Sequence, residues 1–391
     1  MNETYYCPLC SAPASFTLYE RSGVPVQQHQ IMPTARAARE IARGTLHIML
    51  CDYCGFVFNA SFEPGKVSYD EHYDNAQQHS AFFSSYLDEL VHHLVHERGI
   101  HNANIIEIGC GSGDFLRRMV MADSSNRGYG FDPAYSGPEN DLNGRLTFRQ
   151  QRFTGAASIP QTDAVICRHV IEHIADPAAF LRTIKSAVTD SPRARLYFET
   201  PDLNWILENT AFWDFFYEHC SYFTPASLSF AFESAGFRVD ALRLLFDQQY
   251  MWLEASLNAK DRFSTQPAKS EQLLTAARTF ARSVPVRLEA WRTKLQSYTR
   301  QGGVALWGAG AKGVTFANLI DPQAELLQGV VDLNPHKQGN YLPGTGHPIF
   351  SLHQAAVQGI RTLLIMNPNY LAESAKLLRE LDSDISLVAL E

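Results

Sequence analysis

The chain has 391 residues, 45% of them apolar and 19% charged, so it is long enough for two or three domains with sizeable cores. A formal charge of −8 and a pI near 6.0 argue against a protein that grips nucleic acid by neutralising phosphates. The start, MNETYYCPLC, lacks the charged-then-apolar secretory pattern, and no apolar run is long enough to span a bilayer. A cytoplasmic protein with no membrane partner is expected.

The first part, residues 1–66, carries two CxxC pairs, Cys7–Cys10 and Cys51–Cys54, about forty residues apart. Two such pairs are the signature of a tetrahedral four-thiolate zinc site, and Gly55 suits the tight turn after the second pair. A redox role for the CxxC pairs is the alternative. Four thiolates leave no open coordination position, so Cys7, Cys10, Cys51 and Cys54 are expected to hold a structural Zn2+ and do no chemistry. The total of seven cysteines is odd, which argues against a disulfide framework; Cys110, Cys167 and Cys220 read as small buried hydrophobes.

The second part, residues 67–255, opens on YDEHYDN around Tyr73 and a helical pattern through Leu90, Val91 and Leu94. Tyrosines there face an acceptor or cap a cofactor pocket. Apolar strands then alternate with helical patterns, implying a parallel sheet. Residues 104–109 read as a strand running into a glycine-rich turn, Gly109-x-Gly111-x-Gly113, that opens a helix through Phe115. Further strands end in Gly130-Phe-Asp132-Pro133, in Cys167-Arg168-His169 and in Glu199-Thr200-Pro201. Glycines let a backbone approach a cofactor closely, and an acid ending the next strand takes ribose hydroxyls. The spacing is G-x-G-x-G rather than the dinucleotide G-x-G-x-x-G, with Glu107 two residues before the first glycine.

EIGCGSGDFL, GFDP and CRHVIEHIADPAAFL, in that order, resemble the S-adenosylmethionine (SAM) site of class I methyltransferases. The resemblance implies a cofactor site made by Glu107, Gly109, Gly111, Gly113, Phe115, Asp132, Pro133, Arg168 and His169.

The third part, residues 256–391, begins with a polar, turn-prone linker, LNAKDRFSTQPAKSEQ, and a helix-like stretch expected to break at Pro285. Gly303-Val-Ala-Leu-Trp-Gly308-Ala-Gly310-Ala-Lys312-Gly313 is a strand running into G-x-G-x-x-G, and Asp332 lies about twenty residues further on. Alone, this is a dinucleotide fingerprint. Too little chain remains after Gly303 for a full double nucleotide-binding unit, so a degenerate Rossmann-like unit put to another use is expected.

The whole order, ending in VDLNPHKQGNYLPGTGHPI and LLIMNPNY, is similar to the three-part C-methyltransferases of deoxysugar biosynthesis. That resemblance implies an α/β fold: a class I methyltransferase sheet flanked by a four-cysteine zinc domain and a Rossmann-like C-terminal domain. It also implies that Gly308, Gly310, Lys312, Asp332, Lys337 and Asn367 help hold a nucleotide-linked sugar. The partner is then a small-molecule acceptor, and the protein a monomer or homodimer.

The implied reaction removes a proton next to a ketone and transfers methyl to the carbanion, which needs a base, hydrogen-bond donors for the enolate and exclusion of water. WDFFYEHCSYFT, residues 213–224, is aromatic-rich and holds an adjacent Glu218–His219 pair. His219 is the expected base, oriented or tuned by Glu218. The family carries a Tyr two residues before the Glu; Phe216 stands there instead, with Tyr217 directly before Glu218. Adjacent residues point in different directions, so Tyr217, Tyr73 and Tyr222 are all candidates for the missing hydroxyl, Tyr222 from the substrate side. His173, in Val-Ile-Glu172-His173, is the second basic candidate. Three rivals remain: N- or O-methylation on the same scaffold, a zinc-dependent binding module with an idle SAM fold, and an NAD-dependent dehydrogenase suggested by GAGAKG.

Overall fold

The computed structural model describes residues 4–70, 73–155, 161–257 and 271–390. Three sheets organise the chain. The first is antiparallel and joins Phe16–Pro25, Arg43–Leu50 and Val57–Asn59. Its fourth strand comes from far along the chain: Ser221–Tyr222, inside the aromatic run, pairs with Val57 and Phe58. The N-terminal unit is therefore closed by the very segment that carries Glu218 and His219.

The second sheet has eight strands. Asn104–Ile108 lies at its centre, flanked by Arg127–Phe131 on one side and Ala164–Arg168 on the other, all parallel. Arg195–Pro201 continues the parallel set, and Tyr250–Leu257 then inserts antiparallel between it and the edge strand Phe237–Leu245. Ile105, Val165, Ile166 and Cys167 are wholly buried, as expected of parallel strands covered by helices on both faces. This strand order, with Tyr250–Leu257 reversed between its two neighbours, is that of a class I SAM methyltransferase sheet; the two-residue edge strand Asn140–Asp141, antiparallel to Leu146–Arg149, is a second reversed strand.

The third sheet is all-parallel. Its central strand Gly303–Trp307 lies between Gly329–Val331 and Ile360–Ile365, with Ile349–Phe350 and Ser386–Ala389 at the edges. The chain reverses its winding direction between Gly303–Trp307 and Ile360–Ile365, which is where open α/β sheets bind ligands.

The expected break at Pro285 does not occur. Glu271–Thr299 is one helix through the proline. Ala277, Phe280, Val284, Trp291 and Leu295 fall on one stripe and are buried, so packing of both halves outweighs the hydrogen bond that proline removes. This helix touches strand Phe16–Pro25, helix Leu203–Glu208 and strand Gly303–Trp307, giving the three parts one continuous apolar core. Of the expected linker, 258–270 lie outside the described residues, whereas Leu257 ends a strand and Glu271 begins the helix. No helix among the described residues is long and apolar enough to cross a membrane.

Candidate active site

The carboxyl ends of the two parallel sheets face a common cavity of about 290 Å3. Its wall combines His29 from the N-terminal unit, Tyr73, His169, His173, Phe216 and His219 from the middle, and Gly308, Gly310, Lys312, Asp332, Lys337 and Asn367 from the last part. Residues 73–80 form a strap across it. Asn334 and Glu373 hold this strap from the C-terminal unit through Asp74 and Ser80, and Gln78 accepts from the Ser112 hydroxyl of the first glycine loop.

The expected cofactor residues form a separate cluster beside this cavity. Gly109, Gly111 and Gly113 all have left-handed φ, of 74°, 52° and 80°, so the turn needs glycine at each. Asp132 accepts from the Gly111 and Ala134 backbone N–H groups, fixing the loop against the next strand. Glu107 is buried, one oxygen without a hydrogen-bond partner, and burial pushes its carboxyl up to about 8 against the pull of Arg168. Arg168 lies over the Phe115 ring, 4.5 Å from its centre, and Pro133 follows Asp132 in the same turn. The Gly109, Cys110, Gly111 and Gly113 N–H groups are all engaged, by the Phe131 and Cys110 carbonyls or by Asp132. What points to a ligand is the orphaned buried oxygen of Glu107, which fits a cofactor that brings a donor, as the amino group of SAM does.

His169 departs from that set. Expected at the cofactor, it also lines the cavity, in left-handed backbone at φ 53°. Such strain persists where surrounding structure over-determines it. Here Glu199 accepts from the ring at 2.6 Å, and Glu172 lies 3.3 Å from the other nitrogen. Burial works against a charge on His169, but the two carboxylates outweigh it and hold the pKa at about 9. Burial likewise opposes ionisation of Glu199, yet Arg168 and His169 draw it down to about 2. His169 is thus a fixed cation on the wall.

The Glu218–His219 pair divides its work. Glu218 is expected from the sequence to orient His219, but its carboxylate is held by other groups, because neighbouring side chains point apart. One oxygen accepts from the Gln28 backbone N–H and the other from the Tyr73 hydroxyl at 3.0 Å. Burial pushes this fully enclosed carboxyl up to about 7. His219 turns instead into the cavity, its ring centre 4.0 Å from Phe216 and 4.8 Å from His173. Burial, followed by the charges of His173 and His169, holds it well below the usual histidine range, so the ring is neutral at neutral pH. His173 Nδ1 meets the Tyr69 hydroxyl at 3.0 Å, and burial also lowers its pKa.

Two of the three hydroxyl candidates are elsewhere. The Tyr217 oxygen accepts from the Glu63 backbone N–H at 2.9 Å, and its ring packs over Gly44 with no exposed surface. Tyr222 is buried against Phe215 and donates weakly to the Phe216 carbonyl. Neither lines the cavity: the run joins the N-terminal sheet at Ser221–Tyr222, and Tyr217, in the turn before that strand, packs into the same core. Tyr73 alone of the three is in reach.

The C-terminal residues all line the cavity, but several are already engaged. Lys312 binds both oxygens of Asp214 at 2.5 and 2.7 Å. Asp332 accepts from Ala309 and Asn334 backbone N–H groups, and Lys337 donates to the Ala309 carbonyl. Asn367 exchanges two hydrogen bonds with Gln249 of the SAM-side sheet, at 3.0 and 2.9 Å. It is a lock between units more than a free donor. His29, Asp214, Gln249 and the carboxylate of Glu172 went unassigned in the sequence. Asp214 sits in the aromatic run and was readable there; nothing local marks the others.

The four cysteine sulfurs converge within 4.8 Å of one another, Cys7 to Cys54 and Cys10 to Cys51 each at 3.6 Å. Zn–S bonds of about 2.3 Å place tetrahedral sulfurs just under 4 Å apart, so the donor set fits zinc. Glu172, His173 and His219 also converge, but the Glu172 oxygens are engaged by Thr200 and His169.

A model described as a methyltransferase domain matches residues 77–242, and one described as a C-methyltransferase C-terminal domain matches 266–384. The C-methyltransferase NovU of Streptomyces niveus is 26% identical, over 77% of this chain and 75% of that protein. A ubiquinone biosynthesis O-methyltransferase of Aeromonas salmonicida is 29% identical over 27% of this chain and 46% of its own length. Among solved structures, magnesium protoporphyrin IX methyltransferase from Synechocystis PCC 6803 with bound SAH overlaps 45% of this chain and 84% of its own, at 17% identity and a TM-score of 0.35.

Proposed function

This chain belongs to the SAM-dependent C-methyltransferase family, and on that premise we propose that it methylates the carbon beside the ketone of a nucleotide-linked keto-deoxysugar, with His219 as the base. The observation that carries the reading is the wall on which a neutral His219 and the Tyr73–Glu218 pair face one cavity. His219 accepts the proton from the carbon next to the ketone, and the electron pair moves onto the ketone oxygen. With Glu218 protonated, its carboxyl donates to the Tyr73 oxygen and the Tyr73 hydroxyl donates to the enolate. His169 and the lysines of the C-terminal wall add positive potential that favours the anion. The aromatic surround keeps water from quenching it. SAM, held by the Gly109–Gly113 loop, Glu107 and Asp132, would supply the electrophilic methyl for that carbon.

Residues 1–66, 67–255 and 256–391 carry, in this reading, the zinc site, the SAM site and the acceptor wall. Zn2+ held by Cys7, Cys10, Cys51 and Cys54 is structural. No disulfide joins the described cysteines, and a zinc site built on reduced thiols belongs, in this reading, to a cytoplasmic protein.

Phe216 supports a second reading, transfer to oxygen or nitrogen of another acceptor, because it removes the hydroxyl that the family places there. Incubation with SAM and a panel of nucleotide-linked keto sugars tests both. The proposal expects one methyl on carbon by mass spectrometry and NMR, together with exchange of the neighbouring proton into deuterated solvent. Methyl on oxygen or nitrogen, without exchange, overturns it.

A further inference from the structure

Among its described residues, the N-terminal unit sends one side chain into the cavity, His29, and the chemistry above leaves it unused. Its position is fixed from several sides. Gln30 bridges antiparallel to Tyr73, the His29 carbonyl accepts from the Asp74 N–H at 3.0 Å, and its ring lies 5.4 Å, edge-on, from the Tyr73 ring. The preceding residue, Gln28, donates its backbone N–H to Glu218. Across the cavity, His29 Cε1 comes within 3.7 Å of where a Cβ at Gly310 would stand. The imidazole therefore sits between the proton-handling pair and the second glycine loop.

Its Nδ1 is buried and has no hydrogen-bond partner. A neutral imidazole carries one ring proton and one bare acceptor nitrogen, and Nδ1 is the buried one left without a partner. Burial, with the charges of Lys337 and His173, keeps the imidazole neutral. An orphaned buried acceptor costs about 1–3 kcal/mol, a cost removed when a ligand brings a donor.

We propose that His29 Nδ1 accepts a hydrogen bond from a hydroxyl of the acceptor, so that the N-terminal zinc-bearing unit selects a hydroxylated substrate at the side facing Gly310. The inference rests on the sugar reading for the identity of that substrate. It makes His29 a binding and specificity residue, with no part in proton transfer. It also gives the N-terminal unit a function that a scaffold alone would not have.

The test compares His29→Phe, which keeps ring volume without the acceptor, with His29→Asn, whose side-chain oxygen restores one. Thymidine diphosphate- and uridine diphosphate-linked 4-keto-6-deoxyhexoses serve as probes. His29→Phe is expected to raise the acceptor KM about tenfold, the equivalent of one lost hydrogen bond, with kcat and SAM affinity unchanged. His29→Asn is expected to recover most of the loss. An unchanged KM, or a loss tracking a lower melting temperature and not recovered in His29→Asn, overturns the proposal. If the wild type methylates oxygen or nitrogen of a different acceptor, the sugar reading falls and the same KM comparison on that acceptor decides His29 by itself. If the wild type methylates nothing in the panel, both fall.

Discussion

Two glycine loops open two parallel sheets in this chain, and they have been put to different uses. In the first, Gly109, Gly111 and Gly113 are all left-handed, and a Cβ at Gly109 would collide with Val170 Cγ2. In the second, Gly308 has φ 114°, but Gly310 is extended at φ −94° and ψ −173°. The acids that follow do not separate the two, since Asp132 and Asp332 both accept from their own loop's backbone. What separates them is their surroundings. The first loop sits outside the cavity beside an orphaned acid, Glu107; the second lines the cavity, with Leu306 in the place corresponding to Glu107. A shared local geometry thus carries no function of its own. Function comes from what the fold brings opposite the loop.

The largest expected effect is on chemistry alone. His219→Ala should lower kcat by about 10³, in the range of a lost general base, while SAM affinity by calorimetry stays unchanged. Loss of SAM binding in that variant would merge the two sites that the comparison keeps apart.

Gly109→Ala sharpens the cofactor side. Left-handed strain and the collision with Val170 act together, and SAM affinity should fall about 100-fold, or ~3 kcal/mol. Acceptor KM at saturating SAM should move little, and the melting temperature without ligand reports whether the loop alone was disturbed.

Stripping the four-cysteine site with a chelator is expected to lower turnover through the acceptor side, by less than Gly109→Ala lowers SAM affinity. Gln28 and His29 both belong to the unit those cysteines anchor, and Gln28 holds Glu218. SAM titrated into the metal-free protein should still bind within about threefold, because the first loop rests on the central sheet. Equal loss of both would make the zinc unit a general stabiliser.

The proton relay gives a smaller, graded effect. Glu218 titrates at about 7, and the relay needs its protonated form, so kcat should fall as pH rises through about 7. The decline should approach about tenfold per pH unit. His219 must be neutral, and its lowered pKa puts the acid limb below the ordinary 6.5. Glu218→Gln keeps a donor toward Tyr73 and should erase the alkaline limb while leaving the acid one; survival of the alkaline limb would remove Glu218 from the relay.

Legibility in the sequence followed the range of the interaction concerned. Both glycine loops, their acids and the cysteine pairs were readable because turn, strand end and chelate are each built within a few residues. His219 was readable as an awkward polar residue in an aromatic run. The fate of Tyr217 and Tyr222 was not, because it depends on Ser221–Tyr222 pairing with Val57–Phe58 more than 150 residues earlier. The Gln249–Asn367 lock joins residues 118 apart, and Gln28, next to His29, reaches Glu218 across 190. Pro285 misled for the same reason: a local helix-breaking rule yielded to packing against three separate parts of the chain.

The smallest expected effect tests the second loop most sharply. At Gly310 the backbone is extended, which any residue adopts, and an added Cβ meets only His29 Cε1 at the ordinary contact distance of 3.7 Å. Gly310→Ala should therefore leave SAM affinity untouched and change acceptor KM by no more than about twofold. A dinucleotide site would not tolerate the change so well, because there the second glycine exists to let the pyrophosphate approach the backbone. A large loss of acceptor binding in Gly310→Ala would mean that the substrate touches this loop's backbone as closely as SAM is expected to touch Gly111. The two loops would then differ in their ligand and not in their manner of binding.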